Sequence, residues 1–536
     1  MIKNSFFSLI YILLSSVIFM AGDMLYSFYN SSYDFMPNKR NIVYPLALFL
    51  ALSLISKLWL RVTLIVVIML SVMAHLFYFQ YFGNFIQPIA FMQIFQSTGE
   101  VFESLLPEFI AMIVPLLIVI LVASVLIYLN RKFQDKMVVF KYSWTVFFAA
   151  LMIHAAVIWA FVFYSGEKLD EKTARFIYVR PNRHSFENYM RSMNYFIVGI
   201  LPKVITGHVA DFPEMNAPVL IQNIPDRNII FVIGESLRDD RLSLLGYDQK
   251  TTPRLDSLNS VEPFVSASIY AGGTMTRSAF AVLTNHIKYP GASNQLITYN
   301  NNIFKLAKMN GFSTHFISNQ SASQLEIVYN LLSAENIDFY TPKEDLPKYL
   351  NEVTTQDYDL FSMLKRIDLN KNNFIVLHQR GSHSPFGNKY PEEFAKFEDT
   401  YDNTVLYTDH IFTEIYNYLK MNSPKETYFI FTSDHGEMLG EVKGKKGHGW
   451  FEKEVYKVPF IFIPINQKDS LNNLAETVKC HFDVSSLIQN LLGYDSKPET
   501  DPERTIYVNG SEMNALAGYM TIKIKDGKMV SEEIIR

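Results

Sequence analysis

The stretch NIIFVIGES, residues 228–236, sets five consecutive apolar residues directly before a glycine, a glutamate and a serine. Such continuously apolar runs are typical of central strands in a parallel sheet, because both faces of that sheet are covered. Four comparable runs follow, at residues 313–318, 373–378, 428–433 and 458–463. Helical segments such as residues 404–420 lie between them, and this alternation predicts an α/β/α sandwich with a mostly parallel sheet.

Residues 519–535 carry a turn signal of their own. Asp526 and Gly527 stand between two apolar runs, and this dipeptide is typical of two-residue hairpin turns. The segment is therefore predicted to form a β-hairpin.

Polar side chains that bind metal ions follow two of the predicted strands. Glu235 follows the first strand, and Asp434 and His435 follow the strand at 428–433. In open α/β sheets ligands bind beyond the carboxyl ends of the strands. Carboxylate oxygens and imidazole nitrogens suit Zn²⁺ or Mn²⁺, so the pattern predicts a divalent metal site at this edge. The hydroxyl of a nearby threonine would complete the site and become a nucleophile, because coordination lowers its pKa.

Three further segments carry residues suited to the same site. Two threonines, Thr274 and Thr276, lie in the glycine-led segment GGTMTRS at 272–278. His383 lies in GSHSP at 381–385, and His448 lies in GHG at 447–449. Each motif alone is compatible with an ordinary loop. Their joint occurrence around the strand ends favours a functional site, although spacing alone leaves the choice of threonine open.

The first third of the chain is predicted to lie in a membrane. Five apolar stretches there contain no Asp, Glu, Lys or Arg: residues 5–21, 42–56, 62–82, 109–130 and 142–166. Most approach or exceed the roughly 20 residues that a spanning helix needs, which predicts five spans within a transmembrane domain at 1–166. Lysines and arginines concentrate between spans two and three and between spans four and five, which predicts that those loops are cytoplasmic.

An odd number of spans then places the rest of the chain outside the cytoplasm. We predict an amphipathic linker at 167–227, with a helix over residues 186–200, and a catalytic domain at 228–536. The net charge of −4 argues against nucleic-acid binding, because no basic surplus exists to replace phosphate counterions. Cys480 is the single cysteine of the chain and excludes an intramolecular disulfide.

Taken together, these motifs resemble those of the alkaline phosphatase and sulfatase superfamily. The segments that carry the resemblance are VIGES at 232–236, GTMT at 273–276, GSHSP at 381–385, YDNTVLYTD at 401–409, SDHGE at 433–437 and HG at 448–449. Within that superfamily the chain is similar to the bacterial phosphoethanolamine transferases, and the similarity extends over nearly its whole length.

The resemblance implies roles for eight residues. It implies a zinc ion bound by Glu235, Thr276, Asp434 and His435, with Thr276 rather than Thr274 as the nucleophile. It implies that His383 and His448 hold the phosphate or a second zinc ion and donate protons, with Asn319 and Glu437 near the substrate.

The resemblance also implies an activity and a location. Phosphatidylethanolamine would be the donor, a phosphothreonine the intermediate, and lipopolysaccharide, at its core or lipid A, the acceptor. The expected protein is a monomer in the bacterial inner membrane with a periplasmic catalytic domain. Gly272 stands where the lipid A enzymes have a cysteine, which indicates a cysteine-poor branch.

Three alternatives stay open. One is transfer of phosphoglycerol, or of phosphoethanolamine, to periplasmic glucans or another envelope glycan. A sulfatase or phosphatase is a second, but the sequence after Thr276 lacks the Cys/Ser-x-Pro-x-Arg pattern of sulfatases. A membrane receptor with an inactive domain is a third, although all four expected metal ligands are present.

Overall fold

The computed structural model describes most of the chain in four long segments. These are residues 2–92, 109–138, 183–201 and 213–535 together with residue 152, apart from positions 34, 36, 38, 84, 89, 214, 292, 355, 443, 468–471, 514 and 516. The chain forms two compact units, residues 1–207 with 439–446 and residues 208–438 with 447–536.

The described part of the first unit is helical. Its helices are α1 (Ile2–Tyr29), α2 (Lys39–Ser53), α3 (Leu58–Phe82), α4 (Phe109–Phe133) and α5 (Ser185–Tyr195), the last continued by a π-helical turn at Phe196–Ile200. Helices α1, α3 and α4 are long and apolar enough to cross a membrane and correspond to the first, third and fourth predicted spans.

The five-span count stays a prediction. Helix α2, at the second predicted span, has 15 residues and contains Pro45, so it is shorter than a spanning helix requires. The fifth predicted span, residues 142–166, lies outside the described residues except for position 152. Most of residues 83–108, between the third and fourth predicted spans, also lies outside the described residues.

A buried polar contact joins the start of α5 to α1. His184 caps α5 by accepting a hydrogen bond from the backbone N–H of Phe186 at Nδ1. Its Nε2 lies 2.8 Å from Asp23 Oδ2, and the Tyr33 hydroxyl donates to Asp23 Oδ1 at 2.8 Å. Because all three side chains are buried, these bonds satisfy a carboxylate that would otherwise be costly there. The predicted helix over 186–200 is confirmed.

The second unit is built on a seven-stranded sheet. Its strands are β1 (Arg227–Gly234), β2 (Val265–Tyr270), β3 (Ser313–Ser318), β4 (Phe339–Thr341), β5 (Asn373–His378), β6 (Glu426–Ser433) and β9 (Lys457–Ile465). Their order is β2-β9-β6-β1-β5-β3-β4. All five predicted strands are confirmed, and β2 and β4 are additions. β1, β5 and β6 are almost wholly buried, as their apolar sequences require.

Helices separate these strands along the chain. They are α6 (Pro253–Val261), α7 (Thr276–Asn285), α8 (Ser293–Thr298), α9 (Ile303–Met309), α10 (Ala322–Tyr329), α11 (Tyr358–Leu364), α12 (Thr400–Asn422), α13 (Lys453–Tyr456), α14 (Asn472–Ala475) and α15 (His481–Leu491). Two-residue strands lie at β7 (Met438–Leu439) and β8 (Lys446–Gly447). The prediction of a helix over 404–420 is confirmed by α12.

A separate three-stranded antiparallel sheet follows α15. It consists of β10 (Glu503–Asn509), β11 (Tyr519–Lys525) and β12 (Lys528–Ile535). The last two strands form the predicted hairpin. Asp526 and Gly527 form its turn with positive φ angles of 50° and 74°, as the favoured two-residue turn requires.

The direction of β9 decides which loops meet at the carboxyl edge of the sheet. β1, β3, β4, β5 and β6 are parallel, whereas β9 is antiparallel to both β6 and β2. The segment before β9 and the segment after β2 therefore both lie at the edge where β1, β5 and β6 end.

A buried ion pair joins α15 to β10. Arg504 donates from both terminal nitrogens to Asp483, at 3.1 and 2.8 Å, and the two side chains are 5% and 0% exposed. Asp483 also accepts hydrogen bonds from the backbone N–H groups of Lys479, Cys480 and Glu499. This carboxylate thus organises the start of α15 and the approach to β10.

We expect Asp483→Ala to destabilise the protein by roughly 3–5 kcal/mol, because it leaves the Arg504 charge buried and unpaired. The measurement is the thermal unfolding midpoint of the full-length protein in detergent. Lys420→Met is the matched control, since Lys420 and Glu262 form an exposed ion pair whose loss costs about 0–1 kcal/mol. Equal shifts for the two variants would contradict the role given to Asp483.

Candidate metal centre and nucleophile

Parallel pairing of β1 and β6 brings two carboxylates together. Gly234 stands opposite Ser433 in the register, and the Asp434 backbone N–H donates to the Gly234 carbonyl at 3.0 Å. The next residue of each strand, Glu235 and Asp434, is therefore presented at the same point of the sheet edge. Both side chains are buried, at 2% and 0% exposure.

His435 completes a buried cluster with these carboxylates. Ligand atoms of Glu235, Asp434 and His435 all lie within 4.8 Å of one another. His435 Nε2 is 3.3 Å from Asp434 Oδ2 and 3.5 Å from Glu235 Oε1. These are the three residues that strand-end reasoning selected from the sequence.

Thr276 lies against the same cluster. It is the first residue of α7, and its Oγ1 lies 3.3 Å from Glu235 Oε2 and 3.2 Å from His435 Nε2. The Thr274 hydroxyl is buried and has no hydrogen-bond partner among the described residues. Thr274 acts through its backbone instead, because its carbonyl accepts a hydrogen bond from Gly449.

The segment that carries Thr276 is tightly held. Asn509, at the end of β10, accepts a hydrogen bond from the Thr274 N–H and donates twice to the Gly272 carbonyl. A Cβ atom added to Gly272 would lie 2.5 Å from the Cβ of Val282. Gly272 is therefore required by the close approach of α7, and a cysteine would not fit here without movement of the helix.

The cluster has more acceptors than protons, which is the pattern that a cation satisfies. His435 Nδ1 donates to the Gly436 carbonyl, so its lone pair lies on Nε2, facing the cluster. Asp434 Oδ2 is buried without a hydrogen-bond partner. Two hydroxyl protons lie among these atoms, that of Thr276 and that of Ser236, which donates to Glu235 Oε1 at 2.9 Å. The donor set therefore fits a divalent metal ion, with oxygen and imidazole ligands of the kind that bind Zn²⁺.

The pKa shifts of these three side chains agree with this interpretation. Burial, together with the charge of Asp434, raises the pKa of Glu235. Burial raises the pKa of Asp434 to about 6 and lowers the pKa of His435 to about 4. Each shift reflects the cost of a charge without a compensating partner, and a metal ion would offset that cost.

Two further histidines stand beside the cluster. The His448 ring centroid lies 4.3 Å from that of His435 and 5.4 Å from that of His383. His448 reaches this edge because it precedes the antiparallel strand β9, and its Nδ1 lies 3.2 Å from Glu437 Oε2. His383 donates from Nδ1 to the Ser384 carbonyl, which leaves the lone pair on Nε2. His383, His448 and Glu437 are thus brought to the predicted site.

Asn319 contacts a residue that supports the site rather than the cluster itself. Its amide donates to Asp357 Oδ1 at 3.0 Å, and Asp357 in turn accepts the backbone N–H groups of Arg380 and Gly381. Asn319 therefore supports the loop that carries His383, and no hydrogen bond joins it to the metal ligands.

The neighbouring residue, Gln320, makes the contact that the sequence analysis did not identify. Its Nε2 donates to Glu235 Oε2 at 2.8 Å and to the Gln379 carbonyl at 3.1 Å, and it lies 3.3 Å from His378 Nε2. One feature of the sequence could have indicated this contact: Gln320 lies two residues beyond the end of β3.

A buried tyrosine fixes the turn after Glu235. The Tyr401 hydroxyl donates to the Ser236 carbonyl at 2.7 Å and accepts the Arg238 N–H at 2.9 Å. Ser236 has a φ of 59°, in the left-handed region that a serine rarely adopts. The motif at 401–409 therefore contributes a support for this strained turn.

A family model and several characterised proteins are similar in sequence to this chain. The sulfatase family model matches residues 227–494, which is half of the chain. "Phosphoethanolamine transferase EptC" of Escherichia coli strain K12 is 24% identical over 520 residues, 86% of each chain. "Kdo(2)-lipid A phosphoethanolamine 7''-transferase" of Salmonella typhimurium strain LT2 is 25% identical over 258 residues, 44% of each chain.

One solved structure resembles the whole chain. It is the integral membrane protein lipooligosaccharide phosphoethanolamine transferase A (EptA) from Neisseria meningitidis, with a TM-score of 0.53 and 16% identity. The match covers 92% of this chain and 95% of that one. At this level of identity it shows a shared fold, namely apolar N-terminal helices followed by an α/β domain of the sulfatase type.

We expect Gln320→Met to weaken Zn²⁺ binding by about 10- to 100-fold, because loss of a hydrogen bond that orients a ligand has an effect of this size. The measurement is competition against a chromophoric chelator with the full-length protein in detergent. Gln249→Met, at an exposed position, is the control. Unchanged affinity in Gln320→Met would show that Glu235 does not depend on this contact.

Proposed function

The chain belongs to the sulfatase family, and on that premise we propose that it is a membrane-bound, metal-dependent phosphoethanolamine transferase. One observation carries the proposal: the Thr276 hydroxyl lies 3.2 to 3.3 Å from ligand atoms of a buried Glu–Asp–His cluster. A hydroxyl so placed is suited to nucleophilic attack on phosphorus.

Glu235, Thr276, Asp434 and His435 would hold one zinc ion, and His383 with His448 would hold the substrate phosphate or a second ion. When bound, the metal lowers the pKa of the threonine hydroxyl and offsets negative charge on the phosphoryl oxygens. Mn²⁺ is compatible with the same donors. Glu437 supports this assignment by orienting the His448 ring through Nδ1.

The proposed reaction has two displacements. In the first, Thr276 Oγ1 gives its proton to Glu235 Oε2, its hydrogen-bond acceptor, and forms a bond to the phosphorus of phosphatidylethanolamine while the bond from phosphorus to the diacylglycerol oxygen breaks. His383 or His448 supplies the proton that the departing oxygen requires. In the second, an acceptor hydroxyl gives its proton to that histidine and attacks the phosphothreonine, the bond from Thr276 to phosphorus breaks, and Glu235 returns the proton to Thr276. Holding the nucleophile in a buried cluster limits competing hydrolysis.

The proposed topology follows from the apolar helices. A transmembrane domain at 1–166 and a linker at 167–227 would keep the catalytic domain, 228–536, near its lipid donor on the periplasmic side of the inner membrane. An envelope glycolipid such as lipopolysaccharide is the proposed acceptor, in line with the printed names of the relatives. Transfer to periplasmic glucans, and phosphatidylglycerol as donor, are the alternatives.

Thr276→Ala is expected to lower transfer by at least roughly 10³-fold, because removal of a nucleophile has an effect of that order. Intact-mass spectrometry of protein incubated with phosphatidylethanolamine should reveal a phosphoethanolamine adduct on the wild type and none on this variant. Thr274→Ala is the matched control and should keep the adduct. If the adduct forms from phosphatidylglycerol and carries phosphoglycerol, the transferred group is phosphoglycerol and the proposed headgroup is wrong.

Metal removal gives a second test. Dialysis of the full-length protein against a strong chelator should abolish adduct formation, and added Zn²⁺ should restore it, because the buried carboxylates lose their counter-charge without the ion. Metal analysis should find at least one ion per chain in wild type and a reduced content in Asp434→Ala. Full activity of metal-free protein would refute metal dependence.

A further inference from the structure

A buried lysine beside the proposed active site forms no ion pair with any residue that the structure describes. The Lys389 side chain is 8% exposed, yet it makes no hydrogen bond or ion pair with the part of the chain that the structure describes. It follows the short helical turn at Phe386–Asn388, in the same loop that carries His383. The contacts that the described residues of this loop make do not neutralise the charge of the Lys389 ammonium group.

The surroundings of Lys389 add positive charge. Arg380 and Lys343 are partly exposed neighbours whose charges, after burial itself, contribute to lowering the pKa of Lys389 to about 8. Asp357 is the nearby carboxylate, and it already accepts hydrogen bonds from Asn319 and from the Arg380 and Gly381 backbone. No salt bridge joins Asp357 to the Lys389 ammonium among the described residues.

Keeping such a group buried is costly. An ammonium group largely removed from water without an ion-pair partner loses hydration free energy, and like charges nearby add to that cost. Charged groups perturbed in this way cluster at functional sites, and an unpaired cation there is suited to an anionic ligand. In the loop that carries Lys389, the Ser382 N–H donates to the Glu235 carbonyl at 2.8 Å, and the Phe386 ring lies 5.3 Å from that of Tyr401. Lys389 therefore belongs to a loop held against the turn after Glu235, rather than to a remote face.

We propose that Lys389, flanked by Arg380 and Lys343, forms an anion-binding subsite that holds a phosphate group of the acceptor during the second displacement. The proposed metal centre and its histidines already face the phosphodiester that is being transferred. A further cation beside them would serve a second anion, which the donor lipid lacks and a phosphorylated glycolipid carries. This proposal rests on the proposed function, because it assigns a substrate group to the same site.

The test separates the two half-reactions in the full-length, zinc-loaded protein in detergent. Adduct formation with phosphatidylethanolamine, without acceptor, reports the donor step. Discharge of the adduct by bisphosphorylated lipid A reports the acceptor step. Lys389→Met should leave the first rate within twofold and raise the KM of the second roughly 10- to 100-fold, the range for loss of a charged hydrogen bond. Lys389→Arg should restore most of the loss.

Inorganic phosphate is the second probe. It should inhibit adduct discharge in the wild type, and its inhibition constant should rise at least about tenfold in Lys389→Met. Lys348→Met, at a position whose side chain is 65% exposed, is the control and should match the wild type in every assay. Equal melting temperatures and zinc contents would show that the variants are folded.

The remaining outcomes overturn the proposal in different ways. A fall in adduct formation alone would assign Lys389 to the donor phosphate and refute the acceptor subsite. Unchanged kinetics and unchanged phosphate inhibition in Lys389→Met would refute an anion site altogether. If the wild type forms no adduct, the proposed function fails, and isothermal titration of inorganic phosphate into wild type and Lys389→Met then decides the anion site by itself.

Discussion

The register between β1 and β6 places two buried carboxylates side by side. Glu235 and Asp434 extend from paired positions of the central strands, and neither has an arginine or lysine as a salt-bridge partner among the described residues. Burial raises the pKa of both carboxyls, the charge of Asp434 raises that of Glu235 further, and a bound cation would offset these costs. The remaining parts of the second unit can be understood as supports for this arrangement.

The supports act on each ligand separately. Gln320 donates to Glu235, the Gly436 carbonyl fixes the ring of His435, and Ser236 donates its backbone N–H to Asp434 Oδ1. Tyr401 in turn holds the strained turn at Ser236. Each ligand therefore has its own orienting bond, which is the preorganisation that electrostatic catalysis requires.

Charge of both signs surrounds the Thr276 hydroxyl. The acceptor-rich cluster lies on one side of it, and Lys389 with its basic neighbours interacts with Glu235 and His383 nearby. A phosphodiester joined to a second phosphate would match this separation of charge, because each anionic group would meet its own cation. The same separation explains why an ammonium group is tolerated where it forms no ion pair with the described residues.

Local patterns in the sequence determined the strands, the hairpin at 519–535 and three of the apolar helices, because hydrophobic periodicity and turn residues act over short distances. Strand-end reasoning also brought Glu235, Asp434 and His435 together, since parallel strands end at one edge. Strand β2 was not predicted, because its sequence, VSASIY, mixes small polar and apolar residues and is only partly buried.

Only the tertiary structure decided the rest. The antiparallel direction of β9 brings His448 to the site, and the tie between Asn509 and Gly272 places Thr276 rather than Thr274 against the cluster. The role of Gln320 depends on its bond to Glu235, 85 residues away in the chain. The role of Lys389 depends on its burial without an ion pair among the described residues. A sequence displays its local periodicity directly, whereas contacts between distant residues and the burial of a charge arise only when the chain has packed.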